Sequence, residues 1–237
     1  MRPMIGLLVA LFLSYLIGSV SFAILVSQRR GLADPRSYGS GNPGATNMLR
    51  SGDRWAAGLT LAGDAVKGLF AVLLVKALML PLATDLNEAA GWLAASAFGV
   101  FLGHLFPVFF GFKGGKGVAT ALGVLLGLSL PLGLTVLLVW LAIFALTRIS
   151  SLSALGAAVS APALAAMGWV GSGSPVISDT AASVSIVHDP VWWAITFMTF
   201  LLLARHHSNI RGLISGREKP MATRQTEDGS SDKPPSC

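Results

Sequence analysis

The sequence predicts an all-α integral membrane protein of about seven transmembrane helices, with its N-terminus outside and its C-terminus cytoplasmic. Three observations predict this. Of 237 residues, 53% are hydrophobic and 12% are charged, where soluble domains carry about 25% charged residues. The mean hydropathy is +0.69, and the apolar residues come in long runs rather than in the alternating ~10-residue segments of a β-barrel. Finally, Lys and Arg gather in loops that a seven-span arrangement puts on one side.

The runs follow in order. The first, 4–26, is longer than the ~7–15-residue apolar core of a signal peptide and lacks a small-x-small cleavage site after it, so it reads as the first membrane helix. Runs at 55–80 and 89–110 come next. The fourth, 118–148, has Pro131 near its middle and reads as one kinked helix or a tight pair of shorter ones. Runs at 151–170 and 190–204 complete the set. If the fourth run is a pair, the segments 27–54, 111–117 and 148–150 share one side with the chain from 205 onward. Together they hold fourteen of the 17 Lys and Arg residues, while the opposite loop, 171–190, holds none. The positive-inside rule therefore favours the pair, although each half is shorter than the ~20 residues that normally span the hydrocarbon core. Residues 1–219 read as one membrane domain. Residues 220–237, polar and Ser/Pro-rich, read as a disordered cytoplasmic tail.

A net charge of +6 and a pI near 10 point to nucleic acid in a soluble domain. Here the basic residues flank membrane segments, so they imply topology and an anionic substrate, and no nucleic-acid partner is expected. The single cysteine, Cys237, excludes an internal disulfide and a cysteine-based metal site. No metal or cofactor is expected.

Three polar clusters fall on the predicted cytoplasmic face. The first, YGSGNPGATNMLR (38–50), contains a literal GxGxxG. It follows a membrane helix and is interrupted by Pro43, so it is not a dinucleotide fingerprint; its glycines, Ser40, Asn42 and Asn47 suit an anion-binding loop that ends at Arg50. The second, GHLFPVFFGFKGGKGVAT (103–120), is not a Walker A loop, because Gly117 follows Lys116 where Ser or Thr is required. Its glycines allow close backbone approach, the helix after it offers free N–H groups, and Lys113, Lys116 and Thr120 add charge and a hydroxyl. His104 and Pro107 are expected within the helix before it. The third, ARHHSNIRGLISGRE (204–218), places His206 and Asn209 on one helix face and adds Arg205, Arg211 and Arg217. Separately, Asp64 and Lys67 lie inside the second run at i, i+3 spacing. They read as an ion pair that props a wall of the site.

These motifs resemble the bacterial acyl-phosphate:glycerol-3-phosphate acyltransferases of the PlsY type, in order, over roughly residues 4 to 219. The resemblance implies a seven-helix enzyme of the bacterial inner membrane with its active site facing the cytoplasm. It implies transfer of an acyl group from acyl phosphate to sn-glycerol 3-phosphate, giving 1-acyl-glycerol 3-phosphate and phosphate in phospholipid biosynthesis. The enzyme that makes acyl phosphate is then an upstream partner, and membrane lipid surrounds the site. By resemblance the catalytic set is Ser40, Arg50, Lys113, Lys116, His206 and Asn209. The substrate-binding set is Gly41, Asn42, Asn47, Gly114, Gly115, Gly117, Thr120, Arg205 and Glu218. Where the family usually has Arg two residues after the Asn-Ile pair, this chain has Gly212. The HxxxxD signature of other acyltransferases is absent, since Phe109, Trp193, Arg211 and Gly212 stand five residues after the four histidines. A transporter or channel for a phosphate-bearing anion is the alternative class. Against it, the polar clusters gather on one face rather than at a midplane site.

Overall fold

The computed structural model of the chain describes residues 2–169, 189–218 and 220. Among these residues every regular element is helical. The helices are α1 (Arg2–Gly18), α2 (Phe22–Arg29), α3 (Ala45–Met48), α4 (Arg54–Leu78), α5 (Leu86–Leu105), α6 (Val118–Leu128), α7 (Leu130–Thr147), α8 (Ser150–Leu164), α9 (Pro190–Arg205) and α10 (His207–Ile214). Five stretches are long and apolar enough to cross a membrane: Pro3–Arg29, Arg54–Leu82, Leu86–Phe110, Leu130–Thr147 and Ser150–Met167. Two shorter apolar helices, α6 and α9, accompany them. Apart from their boundary residues, the polar loop expected at 171–190 and the tail expected at 220–237 lie outside the described residues.

The helix starts are written locally. Asp53 accepts from Ala56 N at 2.9 Å to cap α4, and Asp85 accepts from Glu88 N at 2.8 Å to cap α5. Asp189 accepts from Val191 N at 2.8 Å, with Pro190 as the first residue of α9. Each cap satisfies an N–H group that the helix itself leaves open.

Packing pairs α1 with α5, α4 with α6, α7 with α8, and α5 with α9. Two of these contacts depend on glycine. A Cβ on Gly68 of α4 would run into the Thr120 carbonyl of α6, and one on Gly123 of α6 into the Ala65 carbonyl of α4. Gly99 and Gly103 of α5 meet the Leu11 and Tyr15 carbonyls of α1 in the same way. Small residues let backbones approach where lipid provides no hydrophobic drive between helices. Phe101, Leu105, Val124, Leu132 and Ile195 fill the interior, while Phe12, Phe70, Leu138 and Phe200 are exposed on the outer surface, which lipid covers.

The structure resolves the fourth run into a pair: α6 ends at Leu128, and Ser129 caps α7 by accepting from Leu132 N. Pro131 sits in the first turn of α7, where its missing N–H costs nothing. It departs from the expected single helix at 4–26, which is interrupted at Ser19–Ser21. The Val20 carbonyl freed by the break accepts from Lys67 Nζ at 2.7 Å. Lys67 also pairs with Asp64 Oδ1 at 2.8 Å, both side chains being buried, as the i, i+3 spacing predicts. A second departure concerns Pro107, expected within the helix of 89–110. Helix α5 ends at Leu105, and the chain then turns through a short 3₁₀ segment, Val108–Phe110. Proline disfavours helical geometry in the residue before it, so Pro107 lies beyond the helix end.

Candidate active site

The first cluster forms a loop between α2 and α4. Asn47 is its clamp, since Nδ2 donates to Pro35 O at 2.7 Å and to Tyr38 O at 3.2 Å, while Oδ1 accepts from Ser40 N at 2.9 Å. Gly39 has φ +58, and a Cβ there would meet Arg50 Nη1 at 2.7 Å, so glycine both permits the turn and seats Arg50 over it.

The second cluster turns back against the end of α5. Gly115 N donates to His104 O at 3.2 Å. The faces of Gly114, Gly115 and Gly117 that a Cβ would occupy are turned to α5: Gly114 to the His104 and Leu105 carbonyls, Gly115 to the His104 ring and Gly117 to Phe101. The glycines thus serve seating of the loop on α5, a reason different from the close approach to an anion expected from the sequence. Gly117 also has φ +89 and caps α6. The first N–H groups of α6 have no intrahelical partner and carry its positive dipole end.

The third cluster is the end of α9 and the start of α10. Arg205 does not point into the main cavity. Its guanidinium donates to Gly114 O at 2.7 Å and to Gly115 O at 3.0 Å, and it stacks on Phe106 with the ring centre 5.7 Å away. Asn209 Oδ1 accepts a short hydrogen bond from Lys116 Nζ. Asn209 Nδ2 donates to Glu218 Oε1 at 2.6 Å, and Glu218 Oε2 accepts from Ser151 Oγ at 3.2 Å. His206 is 3% exposed and lies just past α9, with Nδ1 at 2.8 Å from Leu202 O. A carbonyl only accepts, so Nδ1 carries the proton and Nε2 keeps a lone pair. Burial pushes the His206 imidazole down to about 4, and the Lys116 and Arg205 cations add to the fall against the opposing Leu202 hydrogen bond. It is neutral at pH 7.

These parts surround one cavity of about 320 Å³. Its polar mouth is formed by Ser40, Asn42, Arg50, Lys116, His206 and Asn209, together with Asp64 and His104. Its apolar limb runs between α6, α7, α8 and α9 past Leu125, Val136, Trp140, Ala157, Ile195 and Met198. From Ser151 at the mouth to Ala161 in the limb the rise along α8 is ~15 Å, about one leaflet of a ~30 Å hydrocarbon core. A smaller cavity of about 190 Å³ adjoins the mouth and is lined by Ser40, Gly41, Asn42, Gly114, Lys116, Arg205 and His207.

Most residues singled out from the sequence meet at these two cavities. Four do not line either. Lys113 is exposed, Thr120 is buried against α4, Gly115 stands behind the mouth with its carbonyl held by Arg205, and Glu218 lies behind Asn209. Asn47 lines the main cavity while its amide is occupied within its own loop. The reading from sequence omitted Asp64 and His104 from the site, yet both line the mouth. The i, i+3 charge pair flagged Asp64; nothing in the sequence signals that it faces His104. Among the described residues no group of three or more His, Cys, Asp and Glu side chains is placed to hold a metal ion.

A sequence model of the family described as Glycerol-3-phosphate acyltransferase matches residues 8–216. A Glycerol-3-phosphate acyltransferase of Neisseria meningitidis serogroup B is 51% identical over 209 residues, covering 88% of this chain and 94% of that one. One of Burkholderia lata is 51% identical over 212 residues, covering 90% and 89%. Among solved structures, the chain is similar to the crystal structure of PlsY, an integral membrane glycerol 3-phosphate acyltransferase, in its glycerol 3-phosphate form. The TM-score is 0.74 and the identity 34%, over 90% of this chain and 94% of that one. The lysophosphatidic acid form of the same protein gives a TM-score of 0.70 at 34% identity, with the same coverage. A helical bundle with a polar mouth above an apolar limb of leaflet depth defines, with these relatives, an integral membrane acyltransferase. The chain belongs to the glycerol-3-phosphate acyltransferase family.

Proposed function

We propose that the protein transfers an acyl group from acyl phosphate to sn-glycerol 3-phosphate, releasing 1-acyl-glycerol 3-phosphate and inorganic phosphate. The observation that carries this reading is the continuity of the cationic mouth with the apolar limb. An acyl phosphate needs both at once: charge for its phosphate and a greasy channel for its chain. Each methylene buried in such a channel is worth ~0.8 kcal/mol. Among the described residues only the helices and their connecting loops adjoin the mouth, and none forms an extended surface for the nucleotide and pantetheine of coenzyme A.

Acyl phosphates are already activated, so positioning and charge stabilisation suffice. Lys116 and the amino end of α6 stabilise the departing phosphate. Arg50 and Ser40, at the rim, hold the phosphate of the acceptor. The acceptor's 1-hydroxyl oxygen attacks the acyl carbon, the bond from that carbon to the phosphate oxygen breaks, and the hydroxyl proton ends on the released phosphate. His206 Nε2 accepts the hydrogen bond of the attacking hydroxyl. Its low basicity makes it a poor final holder of that proton, and a phosphate with a second pKa near 6 is the stronger base. Lys113 and Thr120, outside the cavity, act on the loop and on the seat of α6 rather than on substrate. Asn47 and Glu218 act through the groups they hold.

The three basic clusters share one end of the bundle, and the excess of Lys and Arg there supports a cytoplasmic mouth in the bacterial inner membrane. Five long apolar segments and two shorter ones support the reading of seven spans, with the N-terminus outside and the chain from 220 on the cytoplasmic side. The enzyme that makes acyl phosphate is then the upstream partner, supplying the donor to the same face.

The test is an assay of 1-acyl-glycerol 3-phosphate formation by purified protein with acyl phosphate and with acyl-CoA in turn. Transfer from acyl phosphate alone is expected, with Arg50→Ala strongly impaired. Efficient use of acyl-CoA would overturn the donor, and transfer from neither would overturn the reading.

A further inference from the structure

One buried polar group at the mouth has no role in the steps above. His104 is 7% exposed and lines the cavity. Its Nδ1 lies 3.5 Å from Asp64 Oδ1. Asp64 is held in turn by Lys67 at 2.8 Å, and Lys67 is anchored on the Val20 carbonyl at 2.7 Å. The Asp64 carboxylate, held by Lys67, thus faces one edge of the imidazole and orients it electrostatically, without a formed hydrogen bond. The opposite edge carries Nε2 and stands between the two glycine-rich loops. A Cβ on Gly115 would run into Nε2 and approach Pro43 O to 3.3 Å. Among the described residues Nε2 has no hydrogen-bond partner. A neighbouring carboxylate favours the proton on Nδ1, and in that tautomer Nε2 presents a lone pair.

His206 is arranged in the same manner: Nδ1 is tied back to a backbone carbonyl and Nε2 is left as acceptor. The mouth therefore offers two imidazole acceptors, each with its other nitrogen turned to an oxygen, on either side of the Gly114–Lys116 turn. The acceptor substrate of the reading above carries two hydroxyls, of which one is acylated and one is not. The acylated hydroxyl must lie near the departing phosphate, and so near His206, whose neighbours are Lys116 and Asn209. We propose that His104 Nε2 accepts a hydrogen bond from the hydroxyl that is not acylated, making His104 a specificity-determining residue for a 1,2-diol phosphate. The inference rests on the acceptor assigned under Proposed function. Asp64 and Lys67 are then positioning residues, which set the ring through its Nδ1 edge.

The experiment compares glycerol 3-phosphate with 1,3-propanediol monophosphate, which lacks the second hydroxyl, as acceptors for acyl phosphate with the full-length purified enzyme. Wild type is expected to favour glycerol 3-phosphate in kcat/KM by about tenfold, the scale of one well-placed hydrogen bond. His104→Phe, which keeps ring shape but has no acceptor, should bring the ratio close to one, the loss being larger with glycerol 3-phosphate than with the propanediol phosphate. His104→Gln, whose amide oxygen reaches the place of Nε2, should restore part of the preference and serves also if the phenylalanine variant fails to fold. An unchanged ratio in both variants, or equal loss with both acceptors in folded protein, would overturn the role of His104. Absence of wild-type transfer to glycerol 3-phosphate would instead overturn the acceptor assignment and this inference with it.

Discussion

Glu218 controls which face Asn209 shows to Lys116. Asn209 Nδ2 donates to Glu218 Oε1 at 2.6 Å, and its Oδ1 receives Lys116 Nζ. A carboxylate accepts and cannot donate, so it fixes the amide in the orientation that turns oxygen toward the lysine. Glu218→Gln removes the charge and allows the facing amide to flip, which would present NH₂ to an ammonium. The perturbation is nearly isosteric and leaves the Ser151 contact possible. Hydrogen bonds to charged groups contribute about 1.5–3 kcal/mol, so a misplaced Lys116 should cost ~10- to 100-fold in kcat/KM at ~1.4 kcal/mol per decade. The assay is steady-state acyl transfer by wild type, Glu218→Gln, Asn209→Ala and the double variant. If Glu218 acts through Asn209, the double variant should be little worse than Asn209→Ala. Losses that add fully would refute the reasoning and give Glu218 a separate contact with substrate.

Three further outcomes are expected. Ala157→Phe fills the apolar limb beside Val136 and Ile195, and should lower turnover of long-chain donors at least ~10-fold while sparing short ones; equal loss at all lengths would remove the limb from acyl binding. Lys67→Met strands Asp64 in the bundle and should cost about 3–5 kcal/mol, most of it recovered by Asp64→Asn in the same chain, as read by thermal unfolding in detergent. His206 is held at about 4 in the folded protein against 6.5 ordinarily. Between these values the unfolded chain binds more protons, so stability falls as pH drops through 6.5 toward 4, by roughly 3 kcal/mol in all; melting at pH 7 and pH 5 should show the fall, and His206→Gln should lose that part of it.

The sequence by itself determined the class of the protein and the chemistry of its mouth. Membrane insertion depends on the summed transfer of individual residues, so apolar runs and Lys/Arg-rich loops announce a helical membrane protein without any partner. Helix starts at Asp53, Asp85, Ser129 and Asp189 are set by caps that act within three residues of their own chain. Motif order carried the family. Tertiary structure decided the rest, because it depends on groups far apart in sequence. The break at Ser19–Ser21 is stabilised by Lys67, 47 residues beyond the Val20 carbonyl it binds. Asp64 faces His104 only because α4 and α5 stand side by side. The apolar limb was invisible in advance: alanine or leucine reads alike whether it meets lipid, core or an acyl chain. Asn47 and Glu218 show the same limit for polar residues. Their types suit ligand binding, and only packing reveals that one clamps its own loop at the cavity wall and the other holds a neighbour.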